Sequence, residues 1–511
     1  MRPFIYILLC LLFFSTELFS QNPHWTRSYD LQEDFPPNND QGMNIEKFQG
    51  DYVIVSLSLF ESNTVLTIGL LRIDSEGEVL LKKWYQDSQH PLRTFGSLQM
   101  LTDEDNLVIA GDRYLGSGLG YEYFLMKLDE NLDTLWMKTY AGEYMYYPRS
   151  LVKSKFGGYL IHGDGPAYDC DYCFDITLVR TDEDGNELWR KTLGLQDQYV
   201  QSTFGNMVEL DNGDLAVICN GVLPGGVDTY AHLVMLDSVG NTKWSKRVYK
   251  MVNLGGNRMA KSPDGNLVFA TPVDTAVAPW TTNPWVVFLT KVDTAGNVLW
   301  STHFDSAPTL KEVSKIIFTE EGDVLVAGFY SSPPWQKAWI AKVSSGGELL
   351  WEKYYGVADN IFDGGGTYFG FFDIEHAYDE GLVVSGVIQD TVEGGFIDGN
   401  IWVMTLDENG CFDEADCPQD GLIIVSSDEL TAWAEELSYY PNPTSGQVYL
   451  EVPAAVSGRL DVQILDVRGR LLSEQKGLDS GDVLQFEGPG VYYLAFYYQG
   501  IPVHTGKVVV F

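Results

Sequence analysis

Among residue types able to do chemistry, this chain holds six cysteines and seven histidines, and their spacing argues against catalysis. Cys170 and Cys173 form a lone CxxC inside Asp169-Cys170-Asp171-Tyr172-Cys173. A redox pair would need a helix N-terminus in a thioredoxin-like βαβ setting, and a zinc site would need a second pair. Neither surrounds it, so Cys170–Cys173 and Cys411–Cys417 read as disulfide staples of loops in an exported chain. Cys219, within Leu215-Ala216-Val217-Ile218-Cys219, reads as a buried thiol. The histidines (24, 90, 162, 232, 303, 376 and 504) stand singly, and no HExxH, His-x-x-x-His or Gly-x-Ser-x-Gly occurs. His162 and His232 fall within strand-like runs, as satisfied structural histidines do. Gly116-x-Gly118-x-Gly120 lacks the strand–helix unit of a dinucleotide site and reads as a loop.

Carboxylates are the other candidates. Asp182-Glu183-Asp184-Gly185-Asn186 lacks the bidentate Glu of a calcium loop, and a β-turn with Gly in the left-handed position explains it. Asp169, Asp171 and Asp175 could ligate structural calcium, but a solvated loop is the reading adopted. No catalytic residue, metal site or cofactor is therefore expected. Aromatic side chains in long, variable loops remain: Tyr168, Tyr172, Trp280, Trp285 and Trp335. Aromatic faces among Asn, Asp and Thr suit sugar rings or peptide segments, and these five are the expected binding residues. The competing use of such rings is to pack loops onto the rim.

The elements that would position them come from a repeat. An apolar run, an Asp-x-x-Gly turn and often a Trp recur at Asp74, Asp129, Asp182, Asp237, Asp293, Ser344 and Asp407, one copy every roughly 50–60 residues. Leu81 and Glu414 stand where the first and last Trp should be. A β-branched run, usually ending in Gly or Ser, precedes each copy, as in Asn106-Leu107-Val108-Ile109-Ala110-Gly111. Short strands between turns, about four per unit, predict an all-β fold: a seven-bladed β-propeller over residues 21–417. Each Trp opens a last strand, of the form Trp-x-Lys/Arg-x-Tyr in Trp136-Met137-Lys138-Thr139-Tyr140 and Trp351-Glu352-Lys353-Tyr354-Tyr355. The seventh unit lacks it, and the N-terminal Trp25-Thr26-Arg27-Ser28-Tyr29 supplies it once. Strand 24–30 is expected to complete the last blade and hide its edge.

Composition agrees. Of 511 residues, 45% are hydrophobic and 13% aromatic, which excludes a disordered chain or coiled coil. Acidic residues outnumber basic ones by 71 to 33, a net charge of −38. That field disfavours nucleic acid and anionic membrane surfaces as partners. Arg2, the apolar run Phe4–Phe14 and Ser20 before Gln21 read as a signal peptide over 1–20. Cys10 lacks a lipoprotein box around it, and no later run is long enough for a transmembrane helix.

Residues 418–436 change character and read as a linker. Beyond them, residues 437–511 alternate as a small antiparallel sandwich, an Ig-like fold of about seven strands. This stretch carries Tyr440-Pro441-Asn442-Pro443 with Gly446, then Asp466, Gly469 and Arg470 in one turn, and Lys507 in the closing strand. In that order it resembles the C-terminal sorting domain (type A) of the type IX secretion system. The repeat, over about residues 24–416, resembles the Asp-x-x-Gly-x-x-Trp propeller repeats of secreted Bacteroidota proteins. The resemblance implies a Bacteroidota protein that crosses the inner membrane by its signal peptide and the outer membrane by this tail. It implies the type IX machinery as partner and a secreted or cell-surface location via the periplasm. The tail is usually removed, and the cargo is anchored or released. The expected function is a non-catalytic binding or adhesion module for glycan or protein. The alternative is a secreted polysaccharide-active enzyme, or another hydrolase or lyase, using propeller carboxylates.

Overall fold

The computed structural model describes residues 24–31, 40–60, 65–85, 92–93, 98–116, 120–140, 146–166, 174–193, 199–222, 229–251, 256–274, 285–304, 310–332, 335–357, 368–379, 381–392, 396–412, 420–425, 437–452, 460–465, 471–486, 488–498 and 501–511. Among these, every regular element is a strand.

Seven blades follow one another along the chain, each built on four antiparallel strands; Leu92–Arg93 also pairs within blade two, and the fourth strand of blade seven comes from the N-terminus. The first strands of the blades are Gln41–Phe48, Gln99–Asp103, Tyr146–Lys153, Tyr199–Glu209, Arg258–Lys261, Leu310–Phe318 and Tyr368–His376. Each packs against the first strands of both neighbouring blades, and the seventh packs against the first. The ring is therefore closed around a central channel lined by these strands, a seven-bladed β-propeller. Thr26–Tyr29 is the outer strand of blade seven, with Thr26 opposite Met404 and Tyr29 opposite Ile401.

The hydrophobic runs form the second strands because both their faces meet a neighbouring blade. Leu107, Val108, Ile109 and Ala110 are all fully buried, as are Val324 to Ala327 nearly so. Outer strands are half-exposed, which is why they carry Lys and Arg. The Asp-x-x-Gly turns are built on the aspartate. Asp182 Oδ1 accepts from the backbone N–H of Asp184 (3.0 Å) and of Asn186 (2.8 Å), and Gly185 takes φ +74°.

The repeat's Trp, Lys and Tyr clasp the next blade. A Cβ on Gly185 would come within 2.7 Å of the Trp136 ring, so the glycine also makes room for the indole. Tyr140 Oη donates to the Gly185 carbonyl at 2.8 Å. The same pairing joins Trp189 to Gly240, Trp244 to Gly296, Trp300 to Gly347, Trp351 to Gly410 and, across the ring closure, Trp25 to Gly77. One junction differs. Blade one has Leu81 in place of Trp, and blade two has Leu132, at φ +59° and fully buried, in place of Gly.

After blade seven, Asp420–Val425 runs parallel to the outer strand of blade six, from Glu352 opposite Asp420 to Val357 opposite Val425. The stretch read as a linker thus contains a strand that covers one blade edge. The tail is a sandwich of two sheets. One orders Ser438–Tyr440, Gln447–Glu451 and Val483–Gln485; the other orders Leu471–Leu478, Leu460–Leu465, Gly490–Tyr498 and Ile501–Val510.

Candidate binding face and central channel

Several first strands carry a bulge near their start, and the ladder then places one residue of each blade at a common level of the channel. These are Asn44, Gln99, Ser150, Asn206, Arg258, Lys315 and Asp373, opposite Val55, Ala110, His162, Ile218, Ala270, Ala327 and Ser385. All seven are polar. Around blades five, six, seven, one and two their side chains reach to the next blade. Arg258 Nε donates to the Ser314 carbonyl at 2.7 Å, and Lys315 Nζ lies 2.9 Å from Asp373 Oδ1. Asp373 Oδ2 accepts from the Ile45 N–H at 3.0 Å and from Asn44 Nδ2, and Asn44 Oδ1 accepts from the Met100 N–H at 2.9 Å. Sequence reasoning missed this ring. Its residues share no motif, and the register shifts before Asn44, Lys315 and Asp373 keep them from being counted along the chain.

Two residues further along lie Glu46 and Glu375. Glu375 Oε1 is 3.8 Å from Lys315 Nζ. Burial pushes the Glu46 carboxyl up to about 8, with Lys315 opposing and Glu375 and Asp373 reinforcing. Burial raises Glu375 as well. A protonated carboxyl near an ionised one is the pattern of acid–base chemistry. Asp373, however, is 1% exposed, and Lys315, Asn44 and the N–H groups of Ile45 and Ile374 occupy its oxygens. Its role is to tie blades six, seven and one together.

The two sides of the ring differ. The connections between first and second strands, and between third and fourth, are hydrogen-bonded tight turns. The other connections within the ring, second to third strand and fourth strand to the next blade, join strand ends at the opposite face. There, at the ends of blades two and three, Tyr114 and Tyr121 have ring centroids 5.0 Å apart, and Tyr121 and Tyr147 have theirs 6.4 Å apart. All three are half-buried. Arg149 lies 4.9 Å from the Tyr147 ring centroid and 3.1 Å from Asp164 Oδ2. Tyr147 has φ +50°, a conformation an aromatic residue adopts only when its surroundings hold it there. Below this row, burial raises Asp164 to about 6, against the Arg149 charge.

Trp285 opens the third strand of blade five opposite Asp274, and Trp335 opens that of blade six opposite Ser332, both at the long-connection end. Tyr168, Tyr172, Trp280, Cys170, Cys173, Cys417, Asp466, Gly469 and Arg470 lie outside the described residues, as do Asp169 and Asp171. Cys411 is disulfide-bonded. Cys219 is a free, fully buried thiol, pushed up to about 12 by burial. His162 and His232 are buried in strands, and burial lowers them to about 3 and about 4. Among the described residues no cluster of His, Cys, Asp and Glu could hold a metal ion.

In the tail, Tyr440 to Pro443 lies along the closing strand. Asn442 Nδ2 donates to the Lys507 carbonyl at 2.6 Å, its Oδ1 accepts from the Val509 N–H at 3.0 Å, and the Tyr439 hydroxyl accepts from the Lys507 N–H at 3.0 Å. Thr444 pairs with the same strand, its N–H donating to the Val509 carbonyl at 2.8 Å. No helix among the described residues is long and apolar enough to cross a membrane.

No curated protein matches the chain. Among solved structures it is similar to a protein of unknown function from Bacteroides caccae, at 11% identity and TM-score 0.35 over 60% of this chain and 94% of that one. It is similar to polysaccharide lyase Uly1, at 10% identity and TM-score 0.45 over 72% and 90%. It is also similar to the β-propeller domain of the Trilobed protease from Pyrococcus furiosus, at 10% identity and TM-score 0.41 over 69% and 93%. The family described as secretion system C-terminal sorting domain matches residues 438–510. The clamped Tyr440–Pro443 segment and the closing strand fall inside that match, so the chain is a β-propeller carrying a type IX sorting domain that delivers it to the cell surface or beyond.

Proposed function

We propose that the propeller is a non-catalytic module that binds a glycan, or a glycan-bearing protein, outside the cell through its long-connection face. One observation carries this reading: the row Tyr114, Tyr121 and Tyr147 beside Arg149, on the face opposite the tight turns. Aromatic rings held side by side present stacking surfaces for sugars, and the polar tips supply hydrogen bonds. Trp285 and Trp335 open strands at the same face, in blades five and six, and are the further residues this reading assigns to binding. The channel carboxylate Asp373, by contrast, is occupied in joining blades, which counts against carboxylate catalysis there.

In this reading residues 1–20 are a signal peptide cut between Ser20 and Gln21, in a Bacteroidota host. Residues 418–436 connect the propeller to its sorting tail, and the mature module works without a cofactor. The test is a glycan array with the full exported chain, followed by the Tyr114→Ala/Tyr121→Ala variant. Retention on the glycan should fall at least tenfold at an unchanged melting temperature. Cleavage of a retained polysaccharide, or retention untouched by the double substitution, would overturn it.

A further inference from the structure

Cations on the first strands have counter-ions almost throughout. Lys311 meets Glu352 at 2.5 Å, Lys315 meets Asp373 at 2.9 Å, Arg149 meets Asp164 at 3.1 Å, Lys153 meets Asp103 at 2.8 Å and Lys261 meets Asp211 at 2.7 Å. Lys47 lies over the Tyr378 ring at the tight-turn end. Arg258 is different. Its guanidinium donates to two backbone carbonyls, from Nε to Ser314 (2.7 Å) and from one Nη to Asn257 (3.2 Å). Among the described residues no carboxylate stands within ion-pair reach of it.

The chain has 71 acidic residues for 33 basic ones, so an unpaired, half-buried guanidinium in its channel is not for want of carboxylates. Burial pulls Arg258 down to about 10, Glu312 opposes this, and the Arg149 charge adds to it. Glu312 is itself raised by burial. Carbonyl partners hold the guanidinium plane without neutralising it, leaving N–H groups for a planar anion.

We infer that Arg258 is a subsite for the carboxylate of an acidic sugar entering the channel from the long-connection face. A sugar ring stacked on the tyrosine row of that face would lead an acidic neighbour toward the channel. This rests on the glycan-binding reading above and narrows it to uronate-type ligands.

The experiment is calorimetric titration of the full exported chain with oligomers of glucuronate and with neutral oligomers of glucose of equal length. The acidic oligomer should bind at least tenfold more tightly, and Arg258→Gln should remove that preference while the melting temperature stays near wild type. Glu312→Gln, which takes away the nearby carboxyl, should tighten the acidic oligomer several-fold and serves if Arg258→Gln fails to fold. Equal binding of both oligomers, or a preference that survives Arg258→Gln, would overturn the Arg258 assignment alone. If neither oligomer binds, the glycan reading falls with it.

Discussion

Trp25 packs against Gly77 so closely that a methyl group at Gly77 would lie 2.9 Å from two carbons of the indole. Trp25 Nε1 donates to the Ser75 carbonyl at 2.8 Å, and the Tyr29 hydroxyl donates to the Gly77 carbonyl at 2.7 Å. The N-terminal strand thus completes blade seven through its ladder and clasps blade one through its side chains, using the device that joins most other blades. A ring closed this way resists opening only as strongly as that strand is held.

Replacing Trp25 by Ala should therefore lower stability by about 2 kcal/mol, less than a full core truncation because the indole is only half-buried. Gly77→Ala should cost about as much, since φ is +80° and the added carbon meets the ring. Deleting residues 21–30 should cost more and promote association through the bared edge of the Phe396–Leu406 strand. Urea denaturation with size-exclusion chromatography checks all three. An unchanged unfolding midpoint for the deletion would mean that the closure is not held here.

At the junction of blades one and two, Leu81 and Leu132 replace Trp and Gly within one hydrophobic cluster. Leu132 is fully buried at φ +59°, a strained conformation for a leucine. Leu132→Gly should relieve that strain yet open a cavity, for a net loss of about 2 kcal/mol. Leu81→Trp alone should clash with Leu132. The double variant rebuilds the clasp of the other junctions and should be more stable than the sum of the single changes by about 1 kcal/mol. A double-mutant cycle in urea measures that coupling; additivity would show that the two leucines are unrelated substitutions.

The propeller was legible because its determinants are local and repeat: a two-residue strand period, an aspartate that caps its own turn, and a Trp at fixed distance from it. The closing strand was legible because one copy of Trp-x-Lys/Arg-x-Tyr was missing at one end and present at the other. The channel ring was not legible. Asn44, Arg258, Lys315 and Asp373 share no residue type and follow no common motif; only the bulges and the ladder place them at one level. The tyrosine row was not legible for a similar reason, since Tyr114 and Tyr121 stand singly on either side of a glycine-rich loop and only the strand pairing brings their rings together. Nor did the composition of 418–436 announce a strand pairing with blade six, because a single apolar run carries no partner in its own sequence.

Glu46 gives the fold a pH dependence. Its carboxyl is raised from 4.5 to about 8 in the folded channel, first by burial. A carboxyl whose folded pKa is raised favours the folded state while it is protonated. Its contribution is complete below about 4.5 and is lost as pH rises toward about 8. Glu46→Gln keeps the shape without the charge, so it should flatten the decline of stability across that window and leave the variant more stable than wild type at pH 8. Melting curves from pH 4.5 to 8.5 provide the check. A wild-type and variant difference that does not change with pH would place the ionisation elsewhere, with Glu375 the next group to substitute.

The last prediction concerns the tail. The Asn442 side chain bonds to the closing strand as a strand neighbour would, donating to the Lys507 carbonyl and accepting from the Val509 N–H. Thr444 continues this on the next residue but one, with Phe511 N–H donating to the Thr444 carbonyl at 3.1 Å. The start motif thus lies against the final strand, and the first turn of the domain holds Val509 to Phe511. Asn442→Ala removes both side-chain bonds and, because the residue is exposed, should cost only about 1 kcal/mol of tail stability. Its effect on delivery should be larger, since the clamp fixes the closing strand that lies inside the sorting-domain match. Asn442→Asp keeps the acceptor for Val509 and loses the donor for Lys507, so it should fall between wild type and Ala. The readout is the fraction of protein at the cell surface against that in the periplasm, with deletion of 437–511 as the fully retained reference. Full surface delivery of Asn442→Ala would show that the clamp serves folding alone, and delivery of the deletion would remove the sorting role from the tail altogether.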